Sequence, residues 1–214
     1  PIEEAIRLSA ATVLSGPAGG VAGSKYGASL IGAGDLVPFD MGGTSTDISM
    51  IVNGEPALSS TRGIAGQRIA LQSLDIVSIA SGGGSIARVD AGGILRVGPE
   101  SAGALPGPAC YGKGGTEVAV TDASVVLGFL DPGNFLGGRE TLDVAAAEAA
   151  LSRLANQLSV EPAEAAEGVH KVINTQMAEG IRLVSVRRGV DPRKFALLSF
   201  GLSLIHISEP TRRL

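Results

Sequence analysis

The stretch Phe39-Asp40-Met41-Gly42-Gly43-Thr44-Ser45-Thr46-Asp47 decides how this chain is read. It sets two carboxylates, Asp40 and Asp47, at the ends of a short loop, with two adjacent glycines and three hydroxyls between them. Leu36, Val37 and Phe39 precede the loop and Ile48, Met50, Ile51 and Val52 follow it, so strands are expected on both sides. Such a hairpin suits an oligophosphate. Glycines let backbone N–H groups come close to oxygen, and consecutive amides form an anion-binding nest. Carboxylates do not bind phosphate directly, so a divalent cation is implied; Mg2+ is commonly held by one or two carboxylates, waters and substrate phosphates. Closing the hairpin brings Asp40 and Asp47 to one place, because paired strands lie about 4.7–4.9 Å apart. On this reading Gly42, Gly43, Thr44, Ser45 and Thr46 hold phosphate. Asp40 and Asp47 hold Mg2+ directly or through water, or one of them orients water as a base. The plainer reading is a Gly-Gly hairpin turn with a polar rim.

The loop resembles a phosphate loop of the actin-like ATPase superfamily, which includes sugar kinases, heat-shock chaperone ATPases and actin. Further motifs narrow the resemblance. Ser15-Gly16-Pro17-Ala18-Gly19-Gly20 lies upstream. Ser81-Gly82-Gly83-Gly84-Ser85-Ile86-Ala87, Leu95–Gly103, Pro106-Gly107-Pro108-Ala109-Cys110-Tyr111-Gly112 and Val120-Thr121-Asp122-Ala123 follow downstream. In this order, from Leu14 to Gly201, they resemble the hydantoinase A/oxoprolinase family of ATP-dependent enzymes that open cyclic amide rings. Acetone and acetophenone carboxylase subunits are similar in the same motifs. The resemblance implies ATP and Mg2+ as cofactors, a small cyclic-amide substrate, and a second, hydantoinase B-type subunit or domain as partner. It implies phosphorylation of the ring carbonyl oxygen followed by attack of water. An ATP-dependent ketone carboxylase subunit, or a non-catalytic actin-like module that only binds nucleotide, are the alternatives.

Composition excludes other classes. The 214 residues carry 18% charged side chains with a net charge of −4, and a mean hydropathy of +0.30 fits a sizeable core. Aromatics make up 3% and Trp is absent, which argues against nucleic-acid stacking platforms. A pI near 5.2 argues against a phosphate-backbone partner. The 31 glycines are about twice the usual share of ~7% and concentrate in residues 16–138. One cysteine excludes an internal disulfide and points to a reducing, cytoplasmic setting. No apolar run reaches the ~18 residues of a membrane span.

The expected architecture is α/β: the ribonuclease H-like part of an actin-like fold, with a three-strand meander carrying the phosphate-loop hairpin, followed by helices. The strands are Leu36–Met41, Ile48–Val52 and Ala57–Arg62, with Asn53-Gly54 as the second turn. Pro38 fits a central strand badly, so a bulge or an edge is expected there. Asp75–Ala80 makes a further strand, and Ile86–Val89 with Ile94–Val97 a hairpin around Asp90–Gly93. Residues 98–119 form a long ordered loop and Ala123–Leu130 a short helix. Val144, Ala147, Leu151, Leu154 and Leu158 mark one longer helix. Val169, Val172, Ile173, Met177, Ile181 and Val184 mark another, with Ser159 as N-cap, Pro162 in the first turn, Glu167 and Lys171 paired on the solvent side, and Gly189 as its stop. Phe195–Gly201 reads as a buried strand. Residues 1–201 are expected to be one domain cut at both ends, with Ile2–Leu14 the tail of a helix or linker. Residues 202–214 (LSLIHISEPTRRL) resemble read-through of a sequencing adapter.

Other candidates divide between chemistry and structure. Gly82, Gly83 and Gly84 follow a strand and could contact phosphate or ribose, or merely let two segments pack. Asp75 and Asp122 could be metal or substrate carboxylates, or caps. Cys110 reads as a small buried hydrophobe, and His170 lies beside an apolar stripe. With one Cys and one credible His, a zinc site within the chain is not expected. Arg182, Arg187 and Arg188 suit the negative end of a helix dipole. Against the family pattern, this chain shows no second glycine–threonine–aspartate loop, has Arg88 in place of an aromatic, and has Val77 where many relatives carry histidine. The 214 residues alone are therefore expected to bind ATP weakly and to turn nothing over.

Overall fold

The computed structural model describes residues 3, 6, 15–60, 62–64, 67–70 and 72–201. The tails expected at 202–214 and Ile2–Leu14 lie outside these, apart from residues 3 and 6. The fold is mixed α/β. Its main sheet is built on β1 (Leu36–Met41), which pairs in parallel with β12 (Ala196–Phe200) on one edge. On the other edge it pairs antiparallel with β2 (Thr46–Ile48) and β3 (Ile51–Val52). β4 (Glu55–Pro56) continues from β3, and β9 (Val77–Ile79) pairs with β2. The second expected strand is thus split in two. Ser49 donates its N–H to Pro38 O at 3.1 Å but falls outside both strands. Pro38 has no N–H to return, so the ladder breaks opposite it. The proline sits inside the sheet, fully buried, and the irregularity is carried by its neighbour.

The third expected strand, Ala57–Arg62, is also divided. β5 (Leu58–Ser59) pairs with β8 (Ser73–Leu74), and β6 (Arg62–Ile64) pairs with β7 (Gln67–Ile69). β10 (Ser85–Val89) and β11 (Leu95–Ser101) form the expected hairpin, and β11 runs further than the apolar pattern indicates. β12 is half-buried along most of its length and not the buried strand its sequence suggests.

Alternation along β1 sorts the two faces of the sheet. Val37, Phe39 and Met41 enter the main core with Ile48 and with the helices that follow. These helices are α2 (Val120–Val126), α3 (Val144–Leu158) and α4 (Pro162–Arg187). Ala147, Leu151 and Leu154 of α3 and Val169, Ile173, Met177, Ile181 and Val184 of α4 are buried at the expected spacing. A Cβ at Gly180 would lie 2.6 Å from Ile48 Cδ1, so the glycine lets α4 lie close on β2. Ser159 does not cap α4. It ends α3 in the left-handed conformation at φ 56°, and Glu161 occupies the N-cap of α4. Gly189 stops α4 as expected: Gly189 N donates to Val186 O and Val190 N to Ser185 O, a Schellman closure.

The opposite face of β1 presents Leu36, Pro38 and Asp40. α1 (Ser15–Ile31) covers it through Ala28, which packs with Leu36 and Ile51. Sequence reading assigns no element to Ser15–Ile31, whose five glycines disfavour helix. Among the described residues no helix is long and apolar enough to cross a membrane. Leu151 is fully buried in the core, so Leu151→Ala is expected to lower unfolding free energy by about 2–5 kcal/mol in urea titrations.

Candidate functional site

Asp40 and Asp47 stand directly opposite each other in the antiparallel register of β1 and β2, on the face covered by α1. Like charges in this position repel. Burial first, and the charge of Asp47 second, push the Asp40 carboxyl above its ordinary value of 3.8. Asp47 Oδ1 accepts a hydrogen bond from the Ser78 hydroxyl on β9, a contact with no signal in the sequence. Asp40 is walled by glycines. A Cβ at Gly201 would lie 2.4 Å from Asp40 Oδ1, and one at Gly20 would lie 3.8 Å from Asp40 Oδ2 and 2.8 Å from the Phe200 ring. Gly201 also has a φ of 101°, which side-chain-bearing residues rarely adopt.

Gly42 N donates to Ser45 O at 2.9 Å and closes the turn between the two carboxylates. The carbonyls of Gly42 and Gly43 face inward and accept from Gly83 N at 3.1 Å and Gly84 N at 2.6 Å. In a trans peptide the C=O and the next N–H point opposite ways. Turning these two carbonyls inward therefore turns the N–H groups of Gly43 and Thr44 outward. Gly43 and Thr44 are exposed and Ser45 is half-exposed. Among the described residues none of these three amides has a partner within the chain. Free amides of this kind are what binding a phosphate there would need.

Two expectations change here. Thr46 is fully buried and its hydroxyl donates to Ser81 O, so it fastens the loop and does not face the cleft. Gly82, Gly83 and Gly84 are buried too, and their amides are already donated, Gly82 N to Ser85 Oγ and the other two to the first loop. A Cβ on Gly82 would lie 2.6 Å from Gly42 O, and one on Gly84 2.8 Å from Gly43 O. The triplet is a backbone support for the first loop. Thr121 in turn holds Gly83 O through both its N–H and its hydroxyl.

The remaining candidates sit elsewhere. Asp122 is fully buried and accepts from the N–H groups of Ala109, Cys110 and Ala119; burial raises its pKa against the lowering effect of these bonds. It caps α2 and pins the 109–111 turn, so it is not a site carboxylate. Asp75 pairs with Arg188 at 2.6 Å, on the far end of α4. Cys110 is fully buried, and burial pushes its thiol well above the usual range, as suits a core residue. His170 is buried against Ser124 Oγ at 3.0 Å and the Phe129 ring, and burial lowers its pKa.

Among the described residues no three or more His, Cys, Asp or Glu side chains converge as an all-protein cage would require. The Asp40–Asp47 pair fits Mg2+, which takes one or two carboxylates and fills its other positions with water and phosphate.

Two predictions follow from this geometry. Gly82→Ala is expected to cost about 1–3 kcal/mol of stability by overpacking. Gly43→Ala, with nothing within 4 Å of its Cβ, should stay within about 0.5 kcal/mol; thermal unfolding of both variants compares them. Because the folded pKa of Asp40 is raised, the folded state binds its proton more tightly than the unfolded state, and stability falls as pH rises from 3.8 through the folded value. Asp40→Asn should flatten that part of the pH–stability curve, read by urea denaturation at successive pH values.

The chain has clear relatives. The caprolactamase subunit alpha of Pseudomonas jessenii is 43% identical over 188 residues, covering 87% of this chain and 27% of the relative. The 5-oxoprolinase 1 of Arabidopsis thaliana is 43% identical over 209 residues, 88% of this chain and 16% of the relative. The nucleotide-free structure of an ATP-dependent acetone carboxylase superposes with a TM-score of 0.82 at 30% identity, over 92% of this chain and 28% of that one. The chain therefore spans between 16% and 28% of these relatives' length. The family description "Hydantoinase/oxoprolinase" matches residues 1–213, and the chain belongs to the hydantoinase/oxoprolinase family.

Proposed function

We propose that this chain is the phosphate-binding part of an ATP-dependent enzyme that opens a cyclic amide. The observation that carries the reading is the cross-strand pair Asp40–Asp47 beside the outward amides of Gly43 and Thr44 and the unpartnered amide of Ser45. The parallel placement of β12 beside β1, with β2 and β3 on the other edge, is what the ribonuclease H-like half of an actin-like ATPase requires. Gly43–Ser45 hold the terminal phosphates of ATP, and Asp40 and Asp47 hold Mg2+, directly or through water. The chemistry a bound Mg2+ supplies here is neutralisation of phosphate charge.

A ring amide is a poor electrophile. The amide oxygen takes the γ-phosphoryl group as the bond from that phosphorus to the bridging oxygen breaks and ADP leaves. Water then adds at the activated carbon, and the ring C–N bond breaks as its nitrogen takes a proton, leaving an acyl phosphate and a free amine; a second water releases inorganic phosphate and the carboxylate. The residues on the page contribute positioning and charge rather than covalent chemistry. Gly20 and Gly201 keep the flank of Asp40 free of side chains, and Ser78 orients Asp47. The partner is a second subunit or domain of the hydantoinase B type; the relatives named caprolactamase subunit alpha and acetophenone carboxylase gamma subunit are themselves subunits.

The test is ATP turnover by the longer protein carrying this segment, together with its companion subunit. Turnover stimulated by hydantoin, 5-oxoproline or caprolactam without bicarbonate is expected. Turnover that needs a ketone and bicarbonate would move the assignment to the carboxylase branch, and nucleotide binding with no turnover on either would sink the catalytic reading. The 214-residue chain alone should bind ATP weakly, only with Mg2+, and hydrolyse none. Asp47→Asn should weaken that binding at least about tenfold in calorimetry, the loss of one charged ligand.

A further inference from the structure

A second polar cleft lies away from the carboxylate pair, between the β10–β11 hairpin and α4. Its volume is about 440 Å³, and Ala80, Arg88, Asp90, Arg96, Gly98 and Gln176 line it. Arg88 and Arg96 are directly opposite in the hairpin register, so two guanidinium groups rise side by side on one face. Like charges so placed repel unless something balances them. Each guanidinium has one carboxylate partner in the chain and keeps further donors over. Arg88 donates through one terminal nitrogen to Glu100, and Arg96 through Nε to Asp90 at 2.9 Å. The other guanidinium N–H groups have no partner among the described residues. Asp90 also accepts from Gly92 N and Ile94 N, so its carboxylate is shared between the turn backbone and Arg96.

The floor is fixed. Gln176 Nε2 donates to Val97 O at 3.0 Å, and its Oε1 accepts from Ser81 Oγ at 2.7 Å. A Cβ at Gly98 would lie 3.0 Å from Ala80 O, so the hairpin sits tightly on the end of β9. A preformed concavity of this size, lined by two forked donors, offers the donor geometry that carboxylates and phosphates select.

We propose that this cleft is an oxyanion site, which takes a small carboxylate- or phosphate-bearing molecule between Arg88 and Arg96. The site is separate from the phosphate loop: neither Asp40, Asp47 nor any of residues 42–46 lines it. The test is calorimetric titration of the 214-residue chain with succinate and, separately, with inorganic phosphate, at matched ionic strength. Saturable millimolar or tighter binding of at least one anion is expected, weakened at least about tenfold in Arg88→Gln and in Arg96→Gln, the effect of losing a charge-assisted donor. Arg182→Gln, an exposed arginine outside the cleft, should leave it unchanged. Binding of succinate alone assigns a carboxylate ligand, and binding of phosphate alone a phosphate ligand. No saturable binding of either anion, or binding undiminished in both cleft variants with unfolding temperatures unaltered, overturns the proposal. Phosphate bound at residues 43–45 would be undiminished in Arg88→Gln and Arg96→Gln, so the cleft variants, and the succinate titration, separate this site from the reading of Asp40 and Asp47.

Discussion

Two glycine turns stacked backbone on backbone set everything around them. Gly83 and Gly84 present their amides to the carbonyls of Gly42 and Gly43 at hydrogen-bond distance, and no Cβ fits at Gly82 or Gly84. The contact fixes which way the first loop's peptide planes face. Because its carbonyls are drawn inward, its amides are presented outward without any side chain holding them there. The support is itself held: Thr121 and Ala102 accept the role of anchoring Gly83 O and Gly84 O by donating to them. α2 is in turn locked by Asp122, so the loop's geometry rests on a buried carboxylate far from the carboxylates of the site.

Stability and site chemistry pull against each other at Asp40. A carboxyl that burial and a facing carboxylate both drive toward its neutral form is a cost to the fold at neutral pH. On the proposed function, a divalent cation held by the pair would relieve the repulsion and stabilise the folded form by mass action. The double arginine on β10 and β11 is a like-charge pair of the opposite sign, offset within the chain by Glu100 and Asp90. In both places two strands put like charges in register.

Sequence showed most where one residue's neighbours decide its fate. β1 is found with its expected bounds, and α3 and α4 follow from the 3.6-residue repeat of buried Leu, Ile, Val and Ala. The pair Asp40–Asp47 was legible because a short hairpin leaves it no other arrangement. What failed depended on partners distant in sequence. Thr46 looks like a phosphate donor until Ser81 is seen to take its hydroxyl, and Gly82–Gly84 look like ligand contacts until the first loop takes their amides. α1 was hidden because five glycines mask a helix that tertiary packing nonetheless selects, with Gly20 needed beside Phe200. Ser159 has the chemistry of an N-cap, but two residues of spacing and the start of α4 at Pro162 give it to the preceding helix.

The parallel pairing of Leu36 with Ala196 and of Asp40 with Phe200 joins the first strand of the sheet to the last. Contacts so far apart along the chain are slow to form, because the closure entropy of the whole intervening loop precedes any gain from them. During synthesis on a ribosome, β1 therefore waits with one hydrogen-bonding edge bare until β12 has emerged, and bare edges recruit other strands. The wall that Gly201 gives Asp40 arrives only with β12, so the flank of the carboxylate pair stays open for as long as that edge is bare.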